Sequence, residues 1–475
     1  MKKLFSIFLY LVFLCVQTHL IFPLNEESSG AEESAPRGAK ETVIHGLIGS
    51  SEVLLANGVV MLYNYSYYVF TGFGAWALPT AESVRYNLTV PWEWEDTDGF
   101  IVNNLGHLTQ GALYYSAGRV NGFGYFESAF FSALGSFTWE AFGESNIASI
   151  NDFITTVTSA QVSGEILYRL YLEACAAGVP APFAFFINPM AGFHRLVTGW
   201  EPPDYGRNLY DFRAYLGTGY AQTRSLAMDI NRELYSFQGL FAYGGIAVVY
   251  GDPFEQESRI PFNQFEFDFS VGFNGVTLGD SYTNLKVNAH GYLFSFSPVY
   301  TDTDRMSTGL SLHLDYASLG ILDESSTINH FSWALDWTVK YRHLFPRDTV
   351  VQLRFHSGLT LMGSAKFFSP AQEREFLNYG AGLNGKLSFN LEHKTLGKLE
   401  MGASGYAMWC FPETTDISHG TVLWLFTDIT YSYFFTKHLS IGITDSLALE
   451  RGFFDNYPDT RKWNNAVKLF VAWYF

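Results

Sequence analysis

The chain is short of charge, of cysteine and of catalytic signatures. Only 16% of its 475 residues are charged, against about 25% in an ordinary soluble domain. Cys15, Cys175 and Cys410 are too few and too scattered for a disulfide framework or a zinc site. No G-x-S-x-G, H-E-x-x-H or P-loop occurs, so no signature of an α/β-hydrolase, a zinc protease or a phosphate-cradling NTPase is present. The net charge of -17 provides no basic footprint, which argues against nucleic acid as a partner. Beyond the N-terminus no stretch reaches the ~18 uninterrupted apolar residues of a spanning helix. The nearest, Ala174 to Ile187, is broken by Pro180 and Pro182.

Aromatic residues, in contrast, are abundant: 44 Phe, 29 Tyr and 11 Trp make up 18% of the chain. A soluble core has difficulty hiding that much ring surface. A membrane barrel exposes it to lipid and gathers it at the two interfaces. The first residues read as an export signal over 1–24, with Lys2 and Lys3 before an apolar run from Leu4 to Val16. Val12-Phe13-Leu14 before Cys15 is a poor lipoprotein box, and lipid attachment at Cys15 is the minor alternative. Residues 25–45, rich in Glu, Ser, Ala and Gly, read as a disordered linker. A mostly helical domain is expected over 46–200 and a barrel over 205–475, divided near Trp200-Glu201-Pro202-Pro203.

The barrel expectation rests on period-two patterning. Phe331, Trp333, Leu335, Trp337, Val339 and Tyr341 alternate with Ser332, Ala334, Asp336, Thr338, Lys340 and Arg342. Successive strand side chains point to opposite faces, so one face is apolar and the other polar and charged. Phe265 to Phe273 and Leu310 to Tyr316 repeat the pattern, and Val351 to Leu361 largely does. About twelve such segments follow one another, an even number that fits single-chain bacterial barrels. The fold class expected is therefore α+β: an N-terminal helical domain followed by an antiparallel transmembrane barrel in the bacterial outer membrane, with outer-membrane lipid as its surroundings. Val467, Leu469, Val471, Trp473 and Phe475 share the apolar face of the last segment. A terminal Phe after such alternation resembles the C-terminal signature of outer-membrane barrels, which implies the barrel-insertion machinery as a partner reading Phe475.

In the helical part, Gly124, Ser128, Ser132, Ser136, Glu140 and Glu144 recur at every fourth position and fall near one stripe of a helix. Small residues there let a second helix approach closely. A preceding helix offers His107, Gly111 and Tyr115, with Arg119 a turn later. Ser149-Ile150-Asn151-Asp152 reads as a helix start capped by Ser149 or Asp152. Glu165 and Arg169 lie four apart on the helix that follows. Convergence of His107, Glu140, Glu144 and Asp152 would make an acid/base site. His107, Glu140 and Glu144 would also suit a divalent metal, the one cofactor this chemistry suggests. The competing reading is a buried packing network in which Arg119 or Arg169 pairs the acids.

The run Trp92-Glu93-Trp94-Glu95-Asp96-Thr97-Asp98-Gly99-Phe100 is followed by Asn103-Asn104-Leu105-Gly106-His107, Gly111 to Arg119, Gly135 to Glu140, Ser149 to Asp152 and Gly164 to Leu170. Together these resemble an uncharacterised bacterial outer-membrane family that carries a domain-of-unknown-function label, over roughly 46–200. The resemblance implies an outer-membrane or periplasmic setting and marks Asn104, His107, Arg119, Trp139, Glu140, Glu144, Asp152, Gly164, Glu165 and Arg169 as pattern positions. It brings no activity. The family usually has Pro directly after the His, where this chain has Leu108. A looser likeness to VanZ-like helical proteins rests on the His, the helix-borne Glu and the Ser-x-x-Asp. Three readings stay open: a structural or binding barrel with its helices periplasmic or plugging the lumen, a lipid-modifying hydrolase, and a narrow channel.

Overall fold

The computed structural model describes residues 38–72, 78–94, 99–203, 207–228, 232–252, 254, 257–275, 282–321, 327–369, 374–411, 419–456 and 458–475. The signal segment, Cys15 and the linker up to Arg37 lie outside them, as do Glu95 to Asp98. Among the described residues, seven α-helices precede twelve strands. The helices are α1 (Ala39–Thr71), α2 (Ala81–Thr89), α3 (His107–Val120), α4 (Tyr125–Phe142), α5 (Ile150–Ala176), α6 (Ala181–Ile187) and α7 (Pro189–Thr198). The chain divides into two compact units: residues 1–98 with 106–207, and residues 99–105 with 208–475.

Residues 39–45, assigned above to a linker, are the first turns of α1. Past Pro36 and Gly38 nothing breaks a helix, and Ala39-Lys40-Glu41 are good helix formers. By length and composition α1 can cross a membrane. The sequence reading passed over it because Glu52 and Asn57 interrupt its apolar run. Both are buried and satisfied within the helical unit: Asn121 donates to Glu52 (2.8 Å), and Asn57 donates to the Gly135 carbonyl (3.0 Å) and bonds Tyr114. The opposite face of α1, with Leu47, Leu54, Leu62 and Phe70, is exposed.

The strands are β1 (Leu209–Ala227), β2 (Arg232–Tyr250), β3 (Phe265–Phe273), β4 (Tyr282–Tyr300), β5 (Asp304–Ile321), β6 (Ile328–Phe345), β7 (Thr349–Ser369), β8 (Arg374–His393), β9 (Gly397–Cys410), β10 (Gly420–Thr436), β11 (Leu439–Phe454) and β12 (Thr460–Tyr474). Each pairs antiparallel with its sequence neighbours, and β12 closes on β1, with Ala221 opposite Ala466. Closure leaves no unpaired edge, the condition for a sheet in hydrocarbon. The twelve segments expected from the alternation are all present. Two- and three-residue turns end β4, β6, β8 and β10 at one end of the barrel. In the three-residue β6–β7 turn Arg347 and Asp348 both adopt left-handed φ (67° and 56°). The 14-residue β2–β3 connection (251–264) lies at the same end, and connections of four to nine residues lie at the other.

The alternation sorts as expected. Leu359, Leu383, Ile429, Ile443 and Leu469 point outward and are exposed, while Asp336, Lys340, His313 and Glu450 point inward and are buried. Residues 99–105 pack on the outward side of the barrel. The Phe100 ring lies 5.4 Å from Tyr316, and Ser364 donates to Asn104 Oδ1 at 2.8 Å. Cys410 is a buried thiol, and Cys175 is half-buried rather than fully enclosed because it sits at the end of α5.

Candidate functional site

The small-residue stripe of α4 is the face it packs on α3. Ser128, Ser132, Ser136, Glu140 and Glu144 are buried, while Gly124, at the helix cap, is exposed. Ser132 donates to the Gly111 carbonyl at 3.3 Å. A Cβ on Gly111 would meet the Thr156 carbonyl at 2.3 Å, and one on Gly135 would meet the Tyr114 ring at 2.3 Å. Gly164 is pressed against Tyr115 in the same way, at 2.7 Å. These glycines allow three helices to touch along their backbones.

His107 begins α3, after a π-helical turn over Val102–Gly106. Leu108, where the family has Pro, lies in the first helical turn, a position that tolerates either residue. The His107 Nδ1 is 3.1 Å from Thr156 Oγ1, and Nε2 faces Asp152 Oδ1 at 3.5 Å. Burial drives the imidazole down to about 4, so it is neutral at pH 7. Ser149 caps α5 by accepting from the Asp152 N–H (3.4 Å), and its own N–H donates to Glu140 Oε2 at 2.8 Å. A chain of contacts therefore joins Glu140, Ser149, Asp152, His107 and Thr156. The loop carrying it is pinned by Glu93, whose N–H donates to Ala148 (3.1 Å) and whose carbonyl accepts from Ile150 (2.8 Å). Trp92 stacks on Phe137 at 5.8 Å, as a packed helix entry.

Arg119 and Arg169 both converge on Glu165, which is completely buried. Arg119 Nε reaches it at 2.8 Å, Arg169 Nε at 2.7 Å and the Tyr115 hydroxyl at 3.0 Å. Arg119 also lies over the Tyr168 ring. Burial and the adjacent Glu165 carboxylate hold the Tyr115 phenol well above its usual range. Trp139 is buried against Gly143. His194 is neither a loop nor a lumen residue: it sits on α7 with Nδ1 2.6 Å from Glu52 Oε1, a partner 142 positions away in sequence. Among the described residues no group of three or more His, Cys, Asp or Glu is arranged to hold a metal ion. His107, Glu140, Glu144 and Asp152 are each at most 6% exposed.

The second constellation fills the barrel lumen. Glu266 on β3 takes Lys340 from β6 (2.7 Å) and Arg354 from β7 (2.6 Å). Arg213 on β1 reaches Glu400 on β9 (3.1 Å), and Lys286 on β4 reaches Asp428 on β10 (3.6 Å). Lys386 on β8 bonds Asp315 and His313 on β5. His290, His313 and His356 stack with ring centroids 4.8–4.9 Å apart. Towards the end opposite the short turns Leu319, Ile328, Met408, Val422 and Trp424 form an apolar cluster inside the barrel. The lumen holds cavities of about 260 and 140 Å³, with Lys286, Asn288 and Asp428 in the wall of both. Mixed charge on alternating positions was the only sequence signal for this network. Its partners are three to six strands apart around the barrel, and that separation no local pattern encodes.

A closed barrel with apolar side chains outward and an ion-paired interior has the architecture of a transmembrane β-barrel. Residues 91–189 match the model of a domain of unknown function (DUF3943). The motif run read from the sequence lies within that match, which lends no support to the VanZ-like likeness. A search of curated proteins returned no match. Among solved structures, the COG4313 outer membrane channel from Pseudomonas putida F1 is 13% identical over 58% of this chain and 100% of that one, with a TM-score of 0.28. A Pseudomonas aeruginosa FadL homologue is 9% identical over 56% and 90%, with a TM-score of 0.24. The translocator domain of the autotransporter NalP from Neisseria meningitidis is 10% identical over 60% and 95%, at 0.25. The fold assignment rests on the strand ladder itself.

Proposed function

We propose that the chain is an integral protein of the bacterial outer membrane whose barrel is closed at rest and whose role is structural or binding. The observation that carries this reading is the set of ion pairs running across the lumen, Arg213–Glu400, Lys286–Asp428 and Glu266 with Lys340 and Arg354. Paired charges spanning the interior of a twelve-stranded barrel narrow it and support a bore that is closed at rest. The four short turns fit the periplasmic end of such a barrel, the β2–β3 connection at that end being the exception. In the helical unit the polar residues of the motif are buried and largely engaged with one another, which supports packing as their role. Recognition of Phe475 by the insertion machinery belongs to the same proposal.

The test is planar-bilayer recording on purified full-length protein, with folding checked by heat-modifiable gel migration. The expected result is a folded barrel, recovered from the outer-membrane fraction, that gives no stepwise currents. Regular porin-sized steps from the wild type would overturn it. A second reading, a narrow gated channel, is favoured by the two lumen cavities separated by the Lys286–Asp428 pair. Steps appearing in Asp428→Asn and not in the wild type would select it.

A further inference from the structure

The larger lumen cavity, about 260 Å³, is lined by charges of both signs and by aromatic rings. Two of its cations already have partners: Arg213 with Glu400 at 3.1 Å and Lys286 with Asp428 at 3.6 Å. Lys468 on β12 and Asp268 on β3 are different. Both line the cavity without a direct ion pair, and each lies in the field of the other, Asp268 also in that of Arg213 and Lys286 and Lys468 also in that of Asp428. Lys468 is 9% exposed, and its ammonium stands 5.7 Å from the Tyr243 ring centroid. Buried charges are ordinarily paired, because an uncompensated one costs several kcal/mol. Here a cation and an anion attract each other across one cavity without a direct ion pair. Beside them Phe241, Tyr243 and Phe470 form a buried aromatic wall.

We infer that this cavity is a binding site for a small zwitterion of amino-acid size. The ligand's carboxylate would meet Lys468, its ammonium Asp268, and its apolar part the rings of Tyr243 and Phe470. A volume of about 260 Å³ corresponds to roughly nine water volumes of ~30 Å³ each, room for a molecule of about nine non-hydrogen atoms. That is the size of leucine. The inference goes beyond the proposed closed barrel and does not depend on conductance, since it is read on protein in detergent.

The experiment is isothermal calorimetry of folded, full-length protein with L-leucine as the probe. Two analogues each lack one charge: 4-methylpentanoate has no ammonium and 3-methylbutylamine no carboxylate. Saturable binding of leucine is expected, with at least a tenfold loss for either analogue. Lys468→Met and Asp268→Asn should each weaken leucine binding at least tenfold while keeping heat-modifiable migration. The analogues test the wild type directly, so the inference stays falsifiable if a variant fails to fold. No leucine heat from folded wild type would overturn it, as would analogues that bind as well as leucine or folded variants that bind it unchanged.

Discussion

Replacing Glu165 by Ala removes a carboxylate on which two largely buried guanidinium groups and a phenol converge. The Arg119 side chain is 18% exposed and that of Arg169 11%, so neither gains much water when its partner is lost. Breaking a buried pair by deleting one member costs about 3–5 kcal/mol. The residual exposure puts this case near the lower end, about 3 kcal/mol, a large part of the 5–15 kcal/mol that holds a typical domain folded. With a urea dependence of about 2 kcal/mol per molar, the unfolding midpoint of the helical unit should fall by about 1.5 M. Far-UV circular dichroism at 222 nm follows the helices, and heat-modifiable migration reports the barrel separately. Glu165→Gln keeps the side-chain shape and one hydrogen-bond acceptor, so it should fall between Ala and the wild type. A Gln variant as stable as the wild type, or an Ala variant within 0.5 M of it, would refute the claim that charge compensation holds α3 to α5.

Two further outcomes are expected. The unfolded chain takes up a proton on His107 near pH 6.5, while the folded chain takes it up only near pH 4, because burial disfavours the imidazolium. Between those values the unfolded state binds more protons. The helical unit should therefore lose about 3 kcal/mol as the pH falls through that window, at about 1.4 kcal/mol per pH unit. Urea midpoints at pH 7 and pH 4.5 check this, and His107→Gln should flatten the dependence. On the barrel, Leu383 lies near the middle of β8 with its side chain outward. Leu383→Arg should destabilise the barrel by about 2–4 kcal/mol in lipid, measured by the urea midpoint of heat-modifiability in vesicles, and by far less in detergent.

Much of this protein is determined by patterns a few residues long. A strand's two faces are set by a period of two, so the alternation from Phe331 to Arg342 settles which side chains face out and which face the lumen. The cap at Ser149 and the Glu165–Arg169 pair are equally local, since helix geometry alone brings residues three and four apart together. The stripe from Ser128 to Glu144 marks a packing face for the same reason. What the tertiary structure alone decides is which distant groups meet. Arg119 meets Glu165 because Gly111 and Gly164 let α3 and α5 close to backbone contact. Glu52 finds His194 across the helical unit. In the barrel, the strand number and the register of closure place Lys286 opposite Asp428 and leave Lys468 and Asp268 facing a cavity. Such pairings depend on how whole helices and strands are arranged in space, and sequence periodicity carries no information about that distance.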